Sequence, residues 1–318
     1  MGLKHRGILR LGHVRVSVED FDRARSFAIE SLGLIEHRHD VDDDGVERSY
    51  LRTWRDPLAY DYVLERGEPR LVEISFQVRD DADLDSAAQR VRDAGVIVET
   101  VEKDKVLVDL GRSISFVVPA GPAVRLFADT AVTGPAQGWK APHWNIPKTL
   151  RGTPAPMNLG HVAFCSPDPE VAVTFLTEVL DFGISETISS DDGRKLLSAL
   201  LYRSNYGQDL AIFPGAQARL HHVAFLQYDE SAVVRDAAWL HEDGARIDAW
   251  GPTRQSYGRT MSLHFQDPSG TRLELFAGGR FTELHPGFQP VRWTESHLAK
   301  ALSFYDRAAN SDFLEPSL

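Results

Sequence analysis

The chain repeats itself. Leu11-Gly12-His13-Val14 returns as Leu159-Gly160-His161-Val162, 148 residues later, and each copy leads into a helix-like stretch, Phe21 to Glu30 and Pro169 to Val179. Leu71-Val72-Glu73-Ile74-Ser75-Phe76 returns as Leu220-His221-His222-Val223-Ala224-Phe225, and Ser115 to Gly121 as His264 to Gly270, both at an offset of 149 residues. Self-similarity held over that distance means that two copies of one design were joined in tandem, so whatever folds one half must fold the other. Each half itself reads twice as a strand, a helix and then short strands separated by turn residues. Four such units over roughly 8–130 and 157–280 make the expected class α+β. Glycines after the second and fourth helical stretches, Gly95 and Gly244, are suited to stop them. Between the halves, Thr133 to Met157 carries Pro135, Pro142, Pro147, Pro154 and Pro156, a density that breaks regular structure. The expected division is 1–132, a proline-rich linker 133–156, a second domain 157–284 and a tail 285–318. In the tail Pro290-Val291-Arg292-Trp293 reads as extended, followed by a helix capped by Thr294 and running from Glu295 to about Ala308.

Composition excludes several partners. A formal net charge of −11 provides no basic field for nucleic acid or an anionic membrane. The single cysteine, Cys165, rules out a disulfide framework or a thiolate metal site and fits a reducing cytoplasm. No run approaches the 18 or so apolar residues of a membrane span, and no signal-like apolar segment follows Met1, so the expected location is the cytoplasm.

The two copies differ at three aligned positions. The first half has His13, Glu73 and Arg125; the second has His161, His222 and Glu274. An arginine cannot ligate a cation, so this set holds no metal in the first copy. The second copy offers two imidazoles and a carboxylate from three separate strands, all facing the inside of the unit. Two histidines and one carboxylate with open positions left over form the ligand set of non-haem Fe(II) oxygenases. The plainer reading is three unrelated polar residues near a core, against which stands the need of buried ionisable groups for partners. His37, His39, His143, His241 and His285 fall in polar contexts and read as solvated, while His221 must point to the strand face opposite His222 and reads as a support behind the ligands or as structural.

These residues carry a resemblance. Leu159 to Val162, Arg219 to Phe225, Gly251-Pro252-Thr253-Arg254, Asp267-Pro268-Ser269-Gly270-Thr271-Arg272-Leu273-Glu274 and the tail Pro290 to Glu295 follow, in order, the landmarks of the two-domain extradiol ring-cleavage dioxygenases of the vicinal oxygen chelate superfamily, and the chain most resembles the catechol 2,3-dioxygenase branch. The resemblance implies a glyoxalase-like fold of two domains, each of two βαβββ modules. It implies His161, His222 and Glu274 as ligands of Fe(II), with Mn(II) as the alternative metal, and a single active site in the C-terminal domain. It further implies a small aromatic diol and O2 as substrates, both oxygen atoms entering the opened ring, and a homo-oligomer. Such an enzyme must supply a dry cavity, an acceptor for the diol proton and a donor toward the oxygen.

The chain departs from that family in this second set of residues. Where the family has a histidine before the aspartate of a short strand, this chain has Gln208. Where a histidine follows Gly-Pro-Thr-Arg, it has Gln255. Ten residues before the carboxylate ligand, a tyrosine is replaced by His264. Glutamine forms hydrogen bonds but exchanges no proton near neutrality, whereas histidine does. The expectation is that His264 takes the acid–base role, with Gln208 orienting oxygen and Gln255 orienting substrate; the alternative is that His264 merely fills the tyrosine's space. Two other functions use the same scaffold: metal-dependent isomerisation or epimerisation with His264 as base, and sequestration of an aromatic ligand without turnover. Oxygen consumption separates the first reading from both.

Overall fold

The computed structural model describes residues 7–132, 149–150, 153–280, 287–305, 307, 313 and 315–317. Its architecture is mixed α+β, with two large sheets that repeat one plan. The first sheet has strands β1 (Ile8–Val18), β2 (Ile35–Val41), β3 (Glu47–Arg52), β4 (Tyr62–Arg66), β5 (Arg70–Val78), β6 (Glu99–Val101), β7 (Ser113–Val117) and β8 (Ala123–Phe127), in the order β2-β3-β4-β1-β5-β8-β7-β6. A short hairpin, β9 (Thr149–Leu150) with β10 (Thr153–Pro154), lies between the sheets in sequence. The second sheet has β11 (Asn158–Ser166), β12 (Gly183–Ser189), β13 (Leu196–Tyr202), β14 (Leu210–Pro214), β15 (Arg219–Leu226), β16 (Arg246–Ile247), β17 (Thr253–Arg254), β18 (Thr260–Gln266), β19 (Arg272–Gly278) and β20 (Val291–Thr294). Its order is β16-β18-β19-β15-β11-β14-β13-β12-β20, with β17 on β18.

Within each sheet the first strand of a unit pairs in parallel with its last, β1 with β4 and β5 with β8, then β11 with β14 and β15 with β19. The first strands of adjacent units pair antiparallel, β1 with β5 and β11 with β15. Four strand–helix–strand units are therefore present, as the repeat requires. Their helices are α1 (Phe21–Ser26, continued by a π turn to Ser31), α2 (Asp81–Asp93), α3 (Pro169–Leu180) and α4 (Glu230–Glu242). An aspartate precedes each. The carboxylates of Asp80, Asp168 and Asp229 accept the backbone N–H of Asp83, Val171 and Ala232, satisfying a donor that a helix start leaves open. Gly95 and Gly244, at φ +80° and +98°, end α2 and α4.

The strands carry two kinds of face. On β1, Val14, Val16 and Val18 join the apolar core together with Phe21 and Ala24 of α1, while His13, Arg15 and Ser17 turn to the other side. On β11, Val162 and Phe164 take the core side, and His161 takes the other. Aromatic contacts across the halves, Tyr62 with Phe225 and Phe76 with Phe182, merge the two cores.

The tail differs from the expectation. After the 3-10 turn Glu295–His297, α5 (Leu298–Leu302) stops at Leu302, where Ser303 is extended, rather than continuing toward Ala308, which lies outside the described residues. The Phe304 N–H donates to the Arg254 carbonyl at 2.7 Å, so docking on that loop takes the chain out of the helix. Thr294 sits at the cap position, but its hydroxyl meets Ser296 and His297 instead of a backbone N–H. Most of the proline-rich linker lies outside the described residues, as do His143 and His285.

Candidate metal centre

His161 on β11, His222 on β15 and Glu274 on β19 converge on one point inside the second sheet, and all three are buried. Their separations are 3.1 Å between the two Nε2 atoms, 3.0 Å from His161 Nε2 to Glu274 Oε2 and 3.2 Å from His222 Nε2 to the same oxygen. Three donors on one face of an octahedron with bonds of about 2.1 Å stand about 3.0 Å apart, so this spacing fits a single first-row dication with open positions on its far side. Charge agrees. Burial would raise the Glu274 carboxyl, yet the imidazoles around it hold it well below the usual carboxylate range. Burial pushes His222 down to about 4 against the pull of Glu274. The Glu274 carboxylate with the neutral His222 ring suits a dication and leaves one positive charge for a diol anion.

Different forces orient the two histidines. His161 Nδ1 has no hydrogen-bond partner among the described residues, and its ring packs on Phe276 at a centroid distance of 5.0 Å. Phe276 fills the space left by Gly160, whose missing Cβ would stand 2.3 Å from the ring. Gly160 is also where the β11–β15 register slips, between Leu159 and His161. His222 is instead held by a hydrogen bond: its Nδ1 lies 2.7 Å from Nδ1 of His221, so the two side chains do not point apart as strand alternation predicts, because the β11–β15 pairing skips His221 between Ala163–His222 and Phe164–Leu220.

The first sheet shows what the same positions do without a metal. The Arg125 Nε donates to both oxygens of Glu73 at 3.0 Å, and its Nη1 donates to Ser113. His13 Nε2 is 2.7 Å from the Ser75 hydroxyl and 3.7 Å from Glu73. A tethered guanidinium thus occupies the place that an ion would take.

Two of the three residues expected to handle protons and oxygen reach the triad. His264 on β18 pairs in register with Glu274, its Nε2 is 3.6 Å from Glu274 Oε2, and its ring is 5.0 Å from that of His222. Burial pushes it down to about 3, which keeps the ring neutral at pH 7. The Gln208 side-chain amide lies 2.9 Å from His161 Nε2, on the metal-facing side of that ligand. Its loop is pinned by buried Asp209, whose carboxylate accepts the N–H groups of Arg203 and Ser204 at 2.6 and 2.9 Å. Gly258, at φ +79°, leaves room for Gln208, because a Cβ there would be 2.5 Å from its amide oxygen.

Gln255 is placed differently. Among the described residues it touches none of the three ligands; it lines a cavity of about 510 Å³ with Arg254, Arg259, Arg280, Trp293 and Phe304. The Thr253–Ser262 pairing puts it on the strand face that His264 shares. A residue that the sequence did not single out organises this cavity. Glu186, buried on β12, accepts the Trp293 indole N–H at 2.8 Å and the Arg280 Nε and Gly258 N–H at 3.2 Å. Its signal, a glutamate in a half-polar strand, looks like that of any solvated residue. His37, His39 and His241 are exposed, as expected.

The comparisons follow this geometry. Residues 158–275 match the Glyoxalase/Bleomycin resistance protein/Dioxygenase superfamily, and residues 74–131 match the catechol 2,3-dioxygenase-like N-terminal domain. The chain is 31% identical over 314 residues to a metapyrocatechase of Pseudomonas sp. (strain CF600), covering 97% of this chain and 98% of that one. It is 25% identical to a manganese-dependent 2,3-dihydroxybiphenyl 1,2-dioxygenase of Geobacillus genomosp. 3, over 94% of each chain. Among solved structures it is similar to the 2,3-dioxygenase LapB from Pseudomonas sp. KL28, with a TM-score of 0.83 and 26% identity, covering 92% of this chain and 99% of that one.

Proposed function

The chain belongs to the extradiol ring-cleavage dioxygenases of the vicinal oxygen chelate superfamily, metal-dependent enzymes that insert both atoms of O2 into an aromatic diol, and from that premise we propose how its residues divide the work. His161, His222 and Glu274 hold Fe(II) or Mn(II), and the single observation that carries this is their mutual spacing of 3.0–3.2 Å. An ion held there would supply Lewis acidity and redox capacity toward the diol and O2.

The chain's own residues do the rest. Of His264, Gln208 and Gln255 only His264 exchanges a proton, and it lies 3.6 Å from Glu274, so it takes the diol proton and returns it on the oxygen side; burial disfavours its charged form, so it holds that proton only in passing. Gln208 exchanges no proton at neutral pH, and its amide, fixed by the Asp209 loop, orients oxygen by hydrogen bonding. Gln255 orients the substrate from the neighbouring cavity. In that cavity Arg280 is matched by Glu186 and Arg254 by Glu230, while Arg259 has no carboxylate partner among the described residues. This surplus positive charge, beside the aromatic faces of Trp293 and Phe304, suits a diol whose ring carries an anionic substituent.

Coarser proposals accompany these. The domain boundaries 1–132, 133–156, 157–284 and 285–318 are supported by sheets built from 8–127 and 158–294, although β20 of the tail joins the second sheet. A homo-oligomer is carried into this proposal from the family likeness alone. Among the described residues no helix is long and apolar enough to cross a membrane, which agrees with the proposed cytoplasmic location. The test of the reaction is oxygen uptake by anaerobically Fe(II)-loaded protein against catechols and hydroxypyridones, with His264→Phe alongside. Stoichiometric uptake with a new visible absorbance, lost in the variant, is expected. Uptake that survives the substitution removes His264 from the proton path.

A further inference from the structure

The tail passes over the back of the metal centre. Phe313 is buried against Trp250, His221 and His264, at centroid distances of 4.7, 5.0 and 4.9 Å. Its carbonyl lies 2.7 Å from His221 Nε2. Further along, the Ser317 N–H donates to the Leu220 carbonyl at 2.8 Å, and Arg272 Nη1 donates to the Glu315 carbonyl at 2.8 Å and to that of His221 at 3.3 Å. Phe313 and Ser317 are therefore tied to the two residues that precede the ligand His222, and Glu315 shares the Arg272 guanidinium with one of them.

Hydrogen-bond polarity makes this more than packing. A carbonyl only accepts, so His221 must donate to Phe313 from Nε2, and in a neutral ring its Nδ1 is then bare. A bare Nδ1 accepts, so His222 must donate from its own Nδ1, 2.7 Å away. That places the lone pair of His222 on Nε2, the atom 3.2 Å from Glu274 and 3.1 Å from His161. The other tautomer of His222 would put a proton where the ion binds. The repeat supplies the contrast. In the first copy, where a guanidinium replaces the ion, the position of His221 is taken by Val72, which can relay nothing.

We propose that the Phe313 carbonyl, acting through His221, sets His222 in its metal-binding tautomer, so that docking of Phe313 and Ser317 and binding of the metal are thermodynamically coupled. His221 is on this account a positioning residue, and the inference rests on the triad reading. Hydrogen-bond partners of this kind around metal-bound histidines contribute about 10–100-fold in affinity. Coupling is reciprocal, so the ion must favour the docked tail by the same factor that the tail favours the ion.

The experiment is Mn(II) affinity of the full-length protein by competition with a chelator, combined with hydrogen exchange at Ser317, whose amide bonds to β15. In His221→Phe both arms of the relay are gone, and Mn(II) affinity is expected to fall about 10–100-fold. In His221→Asn the side-chain oxygen can still accept from His222, while the bond to Phe313 is lost. That variant is expected to recover most of the affinity, yet Mn(II) should no longer slow exchange at Ser317 as it does in the native chain. The Asn variant and the native exchange measurement decide the question even if His221→Phe folds poorly. Equal affinities in the native and Phe proteins, or Ser317 exchange indifferent to Mn(II) in the native chain, would overturn the relay while leaving the triad. A native protein that binds no Mn(II) overturns the triad reading and the relay with it.

Discussion

Gly160→Ala should do two separable things, and its repeat partner Gly12→Ala only one. Neither glycine has a positive φ, so both substitutions act through space rather than backbone strain. An alanine Cβ at 160 would stand 2.3 and 2.4 Å from two carbons of the Phe276 ring, and at 12 it would stand 2.6 and 2.7 Å from two carbons of Phe127. Carbon atoms rest at about 3.5–4.0 Å, so each ring must retreat by roughly 1 Å. Both rings are fully buried with nowhere open to swing. Overpacking of this kind costs about 1–3 kcal/mol, which in a protein of this size lowers Tm by about 2–4 °C per kcal/mol. The consequences then diverge. Phe276 is the surface on which His161 rests, and no hydrogen bond at Nδ1 among the described residues holds that ligand against a moving ring. Phe127 rests against His13, which serves no ion. Thermal unfolding in chelator should show a loss for both variants. Mn(II) titration should show affinity unchanged in Gly12→Ala and about tenfold weaker in Gly160→Ala, a difference of about 1.4 kcal/mol. Equal affinities would refute the view that Phe276 transmits the position of β11 to the metal.

Arg125→Met leaves buried Glu73 with the guanidinium of Arg15 alone, 3.3 Å away, and should destabilise by about 1–3 kcal/mol in urea unfolding, with Glu73→Gln in the same chain restoring a large part. In metal-free protein burial pushes His222 and His264 down to about 4 and 3, so below pH 6.5 each favours the unfolded chain, by up to about 1.4 kcal/mol per pH unit. Buried Asp61 and Asp267, pushed up to about 7 and about 6, act in the opposite sense over the same window. Chemical denaturation across pH 4–8 of the native chain and of His264→Phe separates them: the native chain should lose more stability on acidification than the variant, and parallel profiles count against a neutral buried imidazole at 264. Arg259→Ala should lower kcat/KM for a carboxylated catechol about tenfold while leaving plain catechol unchanged, measured as oxygen uptake. Equal losses on both substrates would place Arg259 outside substrate selection.

The parts legible in the sequence are those that the duplication writes twice. His13 against His161 and Arg125 against Glu274 locate both the strands and the divergence, because a change at an aligned strand position is visible without a structure. The residues around the triad are legible to a lesser degree. His264 lies against it as its strand position implies and Gln208 reaches it from the loop before β14, whereas Gln255 opens onto a side cavity that Trp293 and Phe304 of the tail help to line. What escapes sequence reading is carried by groups without a signature. The Phe313 carbonyl is backbone, the Gly160–Phe276 contact joins residues 116 positions apart, and Glu186 becomes an anchor only because Trp293 and Arg280 arrive from the tail and from the end of β19. The end of α5 belongs to the same class, since the carbonyl that captures Phe304 comes from Arg254.

The two copies also differ in a way that suits only the second to hold an ion. Glu73 needs a positive partner in its buried position, and Arg125 provides it through Nε and Nη2 contacts at 3.0 Å while Ser113 takes up its Nη1. Those bonds satisfy the carboxylate, and a guanidinium has neither an open coordination position nor an accessible redox change to offer a substrate. In the second copy the same inward position is the carboxylate itself, and two imidazole nitrogens face each other at 3.1 Å with Glu274 beside them. Those donors are not matched by a tethered cation, so the charge they require must come from solution and can bring open positions with it. Exchanging arginine for glutamate at one strand position, with histidine in place of Glu73, therefore converts a self-contained ion pair into a centre that is complete only with an ion.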